Sequence, residues 1–355
     1  MSGVPGSRAS AAPPLAAPHS GRVQPAGKAR QDPKLSGLKW IRKMHLVTGY
    51  QHHAYADSLS EFGTPRYLPR SGGWILKRPI PHCEYRDAMG SYPLFACADW
   101  SQLAADLEEV GEELVSLSLV ADPFGPPDAA LLRCCFPDRM AAFKEHFVLD
   151  LDRFAETSLS AHHRRYARKA LRELRVECSQ EPAQWLDDWT RLYAVLIARH
   201  SIRGIPAFSR CAFARQLQVP GIVAFRAVWN ETNVGMLLWY QQQEVGYYHL
   251  GAYSEEGYLR HASFALFRFA IDYFRESGLR WLDLGAGAGV QNAGDDGLSR
   301  FKQGWATGTR TAYLCGRIFS PRRYAEIVRA MGVPATDYFP AYRLGEFGRN
   351  EPESR

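Results

Sequence analysis

The chain has 355 residues, of which 46% are hydrophobic and 23% charged, an ordinary soluble balance with room for two domains at roughly 100–200 residues each. No window approaches the run of about 18 apolar residues that spans a membrane, and the composition excludes collagen, coiled coil and wholesale disorder. Forty-three Lys and Arg against 37 Asp and Glu leave a net charge of +6, too thinly spread to point to nucleic acid by itself and equally suited to an anionic substrate or cofactor.

Residues 1–35 are rich in Pro, Gly, Ala and Ser with no acid before Asp32. Such a stretch buries too little apolar surface to offset its ordering entropy, so a disordered tail is expected, with structure starting near Leu38-Lys39-Trp40. It has no continuous apolar core of a secretory signal. A first αβ unit follows, to about Asp152. Gly73-Trp74-Ile75-Leu76 reads as a strand. Asp99 can cap a helix with Leu103, Leu107, Val110 and Leu114 on one face. Leu117 to Val120 alternates as a strand and stops at the breaker Asp122-Pro123-Phe124-Gly125-Pro126-Pro127. A basic helix is expected from Ser160 to Leu174, and another from Pro182 to His200 with Trp185, Trp189, Leu192 and Leu196 as its seam. Ile222–Trp229, Val234–Tyr240 and Val245–Tyr253, joined by short polar turns, predict an antiparallel meander. A long helix, Arg260 to Ser277, carries Phe264, Phe267, Ile271 and Phe274 and stops at Gly278. Trp281 to Leu284 and Thr311 to Leu314 read as the last strands. No internal repeat occurs at solenoid periods of about 20–50 residues.

The seven cysteines (Cys83, Cys97, Cys134, Cys135, Cys178, Cys211, Cys315) are scattered with no C-x-x-C, the pattern of free thiols in a reducing cytoplasm. The His52-His53 and His162-His163 pairs have no cysteine or carboxylate at ligand spacing, so no metal is expected. The run Asp283-Leu284-Gly285-Ala286-Gly287-Ala288-Gly289 matches the D-x-G-x-G-x-G signature of S-adenosylmethionine-dependent methyltransferases, in which glycines let the backbone approach the cofactor. That signature should open a fold, yet only 66 residues follow Gly289. No carboxylate lies between Asp296 and Glu326 for the ribose, and Gln291 to Gly297 is a poor helix opening. A permuted methyltransferase escapes only the first objection. P-loop, nucleophile-elbow and G-x-G-x-x-G motifs are absent.

Helices, a meander, a long helix and then a strand with a loop form the element order of a GCN5-related acyltransferase (GNAT) fold. Three stretches resemble the Fem-type aminoacyltransferases and their acetyltransferase-like relatives, which place two such units in tandem. Ser160-Ala161-His162-His163-Arg164-Arg165-Tyr166-Ala167-Arg168-Lys169-Ala170 resembles their basic helix. Gly278-Leu279-Arg280-Trp281-Leu282-Asp283-Leu284-Gly285 resembles their strand after the long helix. Gly297-Leu298-Ser299-Arg300-Phe301-Lys302-Gln303-Gly304-Trp305 resembles their loop with a Phe-Lys pair. The resemblance implies an α+β fold of tandem GNAT-like units, with mixed, mostly antiparallel sheets flanked by helices. It divides the chain into a tail (1–35), an N-terminal unit (36–155), a C-terminal unit with the linking helix (156–345) and a second tail (346–355). It also implies that Val245–Tyr253 and Trp281–Leu284 splay apart around an acyl donor.

The implied activity is transfer of an acetyl, longer acyl or aminoacyl group to a small-molecule or peptide amine, with no tightly bound cofactor and no membrane. A methyltransferase and a non-catalytic GNAT-like binding module are the alternatives. Acetyl-CoA-using members carry [RQ]-x-x-G-x-[GA] where backbone N–H groups cradle the pyrophosphate. Here the stretch is Ser254-Glu255-Glu256-Gly257-Tyr258-Leu259-Arg260, in which only Gly257 and Arg260 suit a pyrophosphate, so acyl-CoA and aminoacyl-tRNA both stand as donors. The resemblance adds Gly285 and Phe301 to the donor-binding set and makes Lys302 the group that stabilises developing negative charge; otherwise Lys302 is a solvated loop lysine. Acyl transfer to an amine also needs a base. His249 is one candidate, on a strand face with Tyr247, itself counted among the catalytic candidates, and Tyr253, and opposite Tyr248 and Leu250; its other reading is a hydrogen-bonded core aromatic. Asp283 is a second candidate base, or a cap for the following loop. Arg164, Arg168 and Arg172 share one helix face, either for a phosphate-bearing donor or tRNA, or as a solvated surface.

Overall fold

Apolar alternation builds the first clear element of the C-terminal half, a meander of β7 (Ile222–Trp229), β8 (Thr232–Gln242) and β9 (Val245–Tyr253). Asn230 and Glu231 both take positive φ in the β7–β8 turn, the geometry of the two-residue turns whose twist matches a hairpin. Helix α8 (Ala262–Glu276) buries Leu266, Phe267, Ile271 and Phe274 and ends before Gly278, whose φ of +77° is the left-handed conformation that glycine adopts without strain.

The computed structural model describes residues 46–126, 128–287 and 296–346. The expected tail 1–35, the start near Trp40, and all of the tail 346–355 except Glu346 lie outside the described residues, as does Gly289. Further strands are β1 (Thr64–Leu68), β2 (Gly73–Pro79), β3 (Arg86–Gly90), β4 (Ser116–Val120), β5 (Arg139–Asp150), β6 (Arg175–Ser179), β10 (Trp281–Asp283) and β11 (Gly308–Ile318). The other helices are α1 (His53–Ser58), α2 (Leu103–Gly111), α3 (Ala129–Cys135), α4 (Ala161–Glu173), α5 (Leu186–His200), α6 (Arg210–Gln216), α7 (Glu255–Leu259), α9 (Gly297–Gln303) and α10 (Pro321–Ala330).

Among the described residues all strands join one 11-stranded sheet in the order β1-β2-β3-β4-β11-β5-β10-β9-β8-β7-β6. The β3–β4 and β10–β9 pairs are parallel and the rest antiparallel. Each half runs meander, helix, parallel strand, short helix, long strand: β1-β2-β3-α2-β4-α3-β5, then β7-β8-β9-α8-β10-α9-β11. The long strands are exchanged. β5 of the first half pairs with β10, and β11 of the second pairs with β4. This is a tandem GNAT-like α+β architecture, and the exchange crosses the boundary placed at 155/156.

The sheet separates two large apolar clusters in its C-terminal half, one under α1, α5 and α6 and one under α4 and α8. Strand β5 and helix α9 were not foreseen. β5 carries Lys144, Glu145 and His146 in its middle, which masks its alternation, and α9 is two turns long and reads as a loop. No helix is long and apolar enough to cross a membrane among the described residues.

Candidate functional site

β9 and β10 pair through only three residues, Val245, Gly246 and Tyr247 against Trp281, Leu282 and Asp283. Beyond that point the arms diverge. β9 continues along β8 to Tyr253, while the chain after Asp283 follows β5, with Leu284 N–H donating to Phe147 O and Phe147 N–H to Gly285 O. The splay expected between these strands is present.

Lys302 bridges the opening. It projects from α9, which Asp296 caps through the N–H groups of Leu298 and Ser299. Its Nζ donates to Ala286 O at 2.6 Å on one arm and lies 5.3 Å from the Tyr248 ring centre on the other. The expectation of a loop lysine is corrected: Lys302 is helical and only 4% exposed. Burial pushes its pKa down to about 7, partly opposed by the carboxylates of Asp283 and Asp296 and reinforced by Lys144.

Asp283 ends β10, 2% exposed. Its carboxylate accepts from His146 Nδ1 at 2.9 Å and from Gly285 N–H at 2.7 Å, so it caps the following turn and orients a histidine together. Gly285 takes φ +71°, and a Cβ there would stand 3.2 Å from Lys302 Nζ.

Tyr247 donates from Oη to Asp122 Oδ2 at 2.8 Å. Asp122 also accepts from Phe124 N–H at 2.9 Å, and burial raises its pKa to about 6, with the Asp283 charge adding to the rise. The two carboxylates stand at similar places in the two halves, Asp283 as the last residue of β10 and Asp122 two residues past β4, each strand following its unit's helix. Arg310, the sheet partner of His146, lies over the Phe124 and Trp281 rings at 4.2 and 4.9 Å and donates to Pro123 O. Asp122, His146, Lys144 and Arg310 escaped the sequence reading. Asp122 was absorbed into a breaker; the one available signal was its position at a strand end, like that of Asp283.

His249 sits at a β-bulge, where Leu238 pairs with Leu250 and Trp239 with Tyr248. The extra residue reverses the alternation. Leu250 joins Tyr247 on the α5 side and Tyr253 joins Tyr248 on the α8 side, correcting the expected face of Tyr247, His249 and Tyr253. His249 Nδ1 meets Tyr50 Oη at 3.2 Å, Nε2 meets Gln216 Oε1 at 3.3 Å, and burial pushes its pKa down to about 3. It therefore stays neutral with both nitrogens engaged, which matches the core alternative.

The expected pyrophosphate donors are engaged within the protein. Gly257 N–H donates to Ser254 Oγ, and a Cβ on Gly257 would meet Val234 O at 2.1 Å. Arg260 pairs with Glu173 and Glu256 at 2.8 and 2.6 Å and stacks on Trp229. Phe301 packs edge-on to Phe264 and Phe267 beneath Lys302. No group of three or more His, Cys, Asp or Glu able to hold a metal occurs among the described residues. All seven cysteines are free.

Residues 158–303 match the family model of the acetyltransferase (GNAT) domain, a stretch that runs from the approach to α4 to the end of α9. FemX superposes with a TM-score of 0.59 at 16% identity, covering 80% of this chain and 96% of FemX. The C-terminal DUF2156 domain of an Agrobacterium fabrum protein gives 0.55 at 16% identity over 78% of this chain and 90% of that one. L-PGS from Bacillus licheniformis gives 0.52 at 16% identity over 78% and 95%. No curated protein is similar in sequence to this chain. These likenesses show the fold, in which β10 is the tenth strand in chain order of a mostly antiparallel sheet, so the glycine run after it does not open the parallel sheet a methyltransferase signature requires. Residues 158–303 are thus similar to the acetyltransferase (GNAT) domain family, and the fold that surrounds them is similar to that of FemX.

Proposed function

We propose that the protein is an N-acyltransferase whose reaction takes place where β9 and β10 part, with Lys302 as the group that stabilises the oxyanion. The observation that carries this reading is Lys302 itself, a buried lysine held between the two diverging arms. The amine nitrogen of the acceptor attacks the acyl carbonyl. The new C–N bond forms as the carbonyl oxygen gains charge, and the bond to the leaving thiol or ribose hydroxyl then breaks. A fixed ammonium in a site that excludes water stabilises that oxyanion far better than solvent does. The Asp283–His146 pair is suited to take the proton the amine sheds and return it to the leaving group.

Both donors remain within this reading. Because Gly257 N–H and Arg260 are engaged internally, the geometry favours aminoacyl-tRNA over acyl-CoA. Arg165, Arg168, Lys169 and Arg172 on the exposed side of α4 supply charge for its phosphates. The acceptor is a small-molecule or peptide amine, and the free thiols suit a reducing cytoplasm.

Thermal-shift titration with acetyl-CoA, longer acyl-CoAs, charged tRNA and S-adenosylmethionine selects the donor, and tRNA binding should weaken steeply with salt. Stabilisation by S-adenosylmethionine alone would overturn the proposal. With the donor in hand, Lys302→Ala should lower kcat by about 100-fold or more. Its melting temperature should stay near the wild-type value, because lost packing is offset by relief of a buried charge. Undiminished turnover removes Lys302 from the site.

A further inference from the structure

The two stretches around Ser160-Ala161-His162-His163 and Phe301-Lys302-Gln303-Gly304 lie 138 residues apart, yet they meet in one contact. α9 has only seven residues, too short to hold its own shape by propensity. The last carbonyls of any helix lack intrahelical partners, and here Trp305 N–H turns back to Lys302 O, leaving Phe301 O to a side chain. That side chain is His163, whose Nε2 reaches Phe301 O at 2.8 Å.

A carbonyl only accepts, so Nε2 bears the hydrogen. Nδ1 then takes the Ser160 hydroxyl at 2.6 Å, while Ser160 Oγ accepts His163 N–H at 3.1 Å as the α4 cap. Ser160 N–H adds a bond to Gly304 O at 3.4 Å. The imidazole is 6% exposed and packs edge-on to Trp305 with ring centres 4.9 Å apart. It rests on Gly304 so closely that a Cβ there would come within 2.0 Å of the ring. The neutral form is favoured, since burial lowers the His163 pKa.

We propose that His163 is a positioning residue for Lys302: by holding the carbonyl of the preceding residue against Gly304, it sets where α9 ends and keeps the lysine amine dry between β9 and β10. The importance of this for turnover rests on the role given to Lys302 above, but the positioning itself does not. Groups facing Lys302 from every packed element are Asp283 on β10, Lys144 on β5, Asp296 at the α9 cap and Tyr248 on β9. None of them is altered when His163 is replaced. A change in Lys302 titration would therefore report a change in its placement and hydration.

The test needs no substrate. Protein labelled with 13C lysine is titrated by NMR, with the Lys302 Cε signal assigned through Lys302→Arg. In the wild type the midpoint should lie near 7, far below the usual lysine value of about 10.4. His163→Ala should raise it by about one unit or more as water reaches Nζ. Gly304→Ala, which evicts the ring without touching His163, should do the same. The double variant should shift no further than His163→Ala alone, because the new methyl occupies space the ring has left. His163→Gln, whose amide N–H can still donate to Phe301 O, should keep the wild-type midpoint and most of the activity. Unchanged midpoints in both single variants, or shifts that add in the double variant, overturn the proposal. An active Lys302→Ala enzyme would instead sink the catalytic role and leave this result standing.

Discussion

The two halves of the molecule run through the same order of elements and finish their parallel strand pairs in opposite ways. In the first half β3 and β4 stay close. A Cβ on Gly90 would stand 2.6 Å from that of Leu119, and the chain returns at once, with Phe95 N–H donating to Val120 O and Asp122 N–H to Phe95 O. Phe95 is fully buried, edge-on to Trp100. In the second half β9 and β10 separate after three pairs, and the space is bridged by a lysine amine instead of a backbone and a phenyl ring. One fold unit is thus sealed with apolar surface and hydrogen bonds, while its counterpart holds an ionisable group out of water. Packing of the first kind serves stability. A buried, depressed lysine costs stability and is retained where chemistry uses it.

The sharpest way to break this contrast is to open the sealed half. Phe95→Ala removes a buried ring from the β3–β4 closure and should cost about 3–5 kcal/mol of stability, read from denaturant unfolding. Turnover per folded molecule should stay at the wild-type level below the melting transition. If kcat collapsed in molecules that remain folded, the first half would belong to the reaction centre, and the division of labour would be wrong.

Next in size is the cost of the buried lysine. The folded-state pKa of Lys302 lies near 7, below an unfolded value of about 10.4. Between those values the unfolded chain holds a proton that the folded chain has released, so the native state becomes relatively more stable as pH rises through that window. At pH 7 and below most of the penalty is present. Lys302→Met should therefore raise stability at pH 7 by on the order of 2–4 kcal/mol, and the gain should shrink by pH 10. A Met variant less stable than wild type at pH 7 would show that the amine is well solvated. In the wild type, turnover should fall as pH rises through about 7, since the uncharged amine no longer stabilises an oxyanion.

How much of this was legible in the sequence depended on what each segment packs against. The meander, α4 and α8 each present one apolar face to a core, so their periods survive in the residues. Phe267, Ile271 and Phe274 are the buried seam expected of α8. β5 faces a core on one side and the proposed reaction centre on the other. Its Lys144 and His146 interrupt the alternation for the same reason that they matter. The bulge at His249 inverts the faces of β9 beyond it, and no single residue signals an inserted position. Lys302 was legible by resemblance, but its burial was not, because α9 owes its place to His163 and Asp296, not to its own seven residues. Exchange of β5 and β11 between the halves follows from pairing across the whole chain, which no local pattern encodes.

The smallest expected effect probes the one carboxylate that the sealed half lends to the open one. Asp122 lies just past β4 in the first half and accepts from Tyr247 of the second. Its pKa of about 6, against an ordinary 3.8, means that the folded protein holds a proton there which the unfolded chain has lost between about pH 4 and 6. Its contribution to stability is full below that window and disappears as pH rises through 6. Above pH 6 the ionised carboxylate is held against burial and against the charge of Asp283. Asp122→Asn keeps an oxygen for Phe124 N–H and turns its amide N–H toward Tyr247 Oη, whose hydroxyl can accept, while removing the charge. It should flatten the pH dependence of stability between 4 and 6 and add about 1–2 kcal/mol at pH 7, with kcat changed by less than about tenfold. A much larger loss of kcat, with the same gain in stability, would make Asp122 a working acid or base. The reaction centre would then be built from both halves, with Asp122 and Asp283 facing each other from equivalent strand ends.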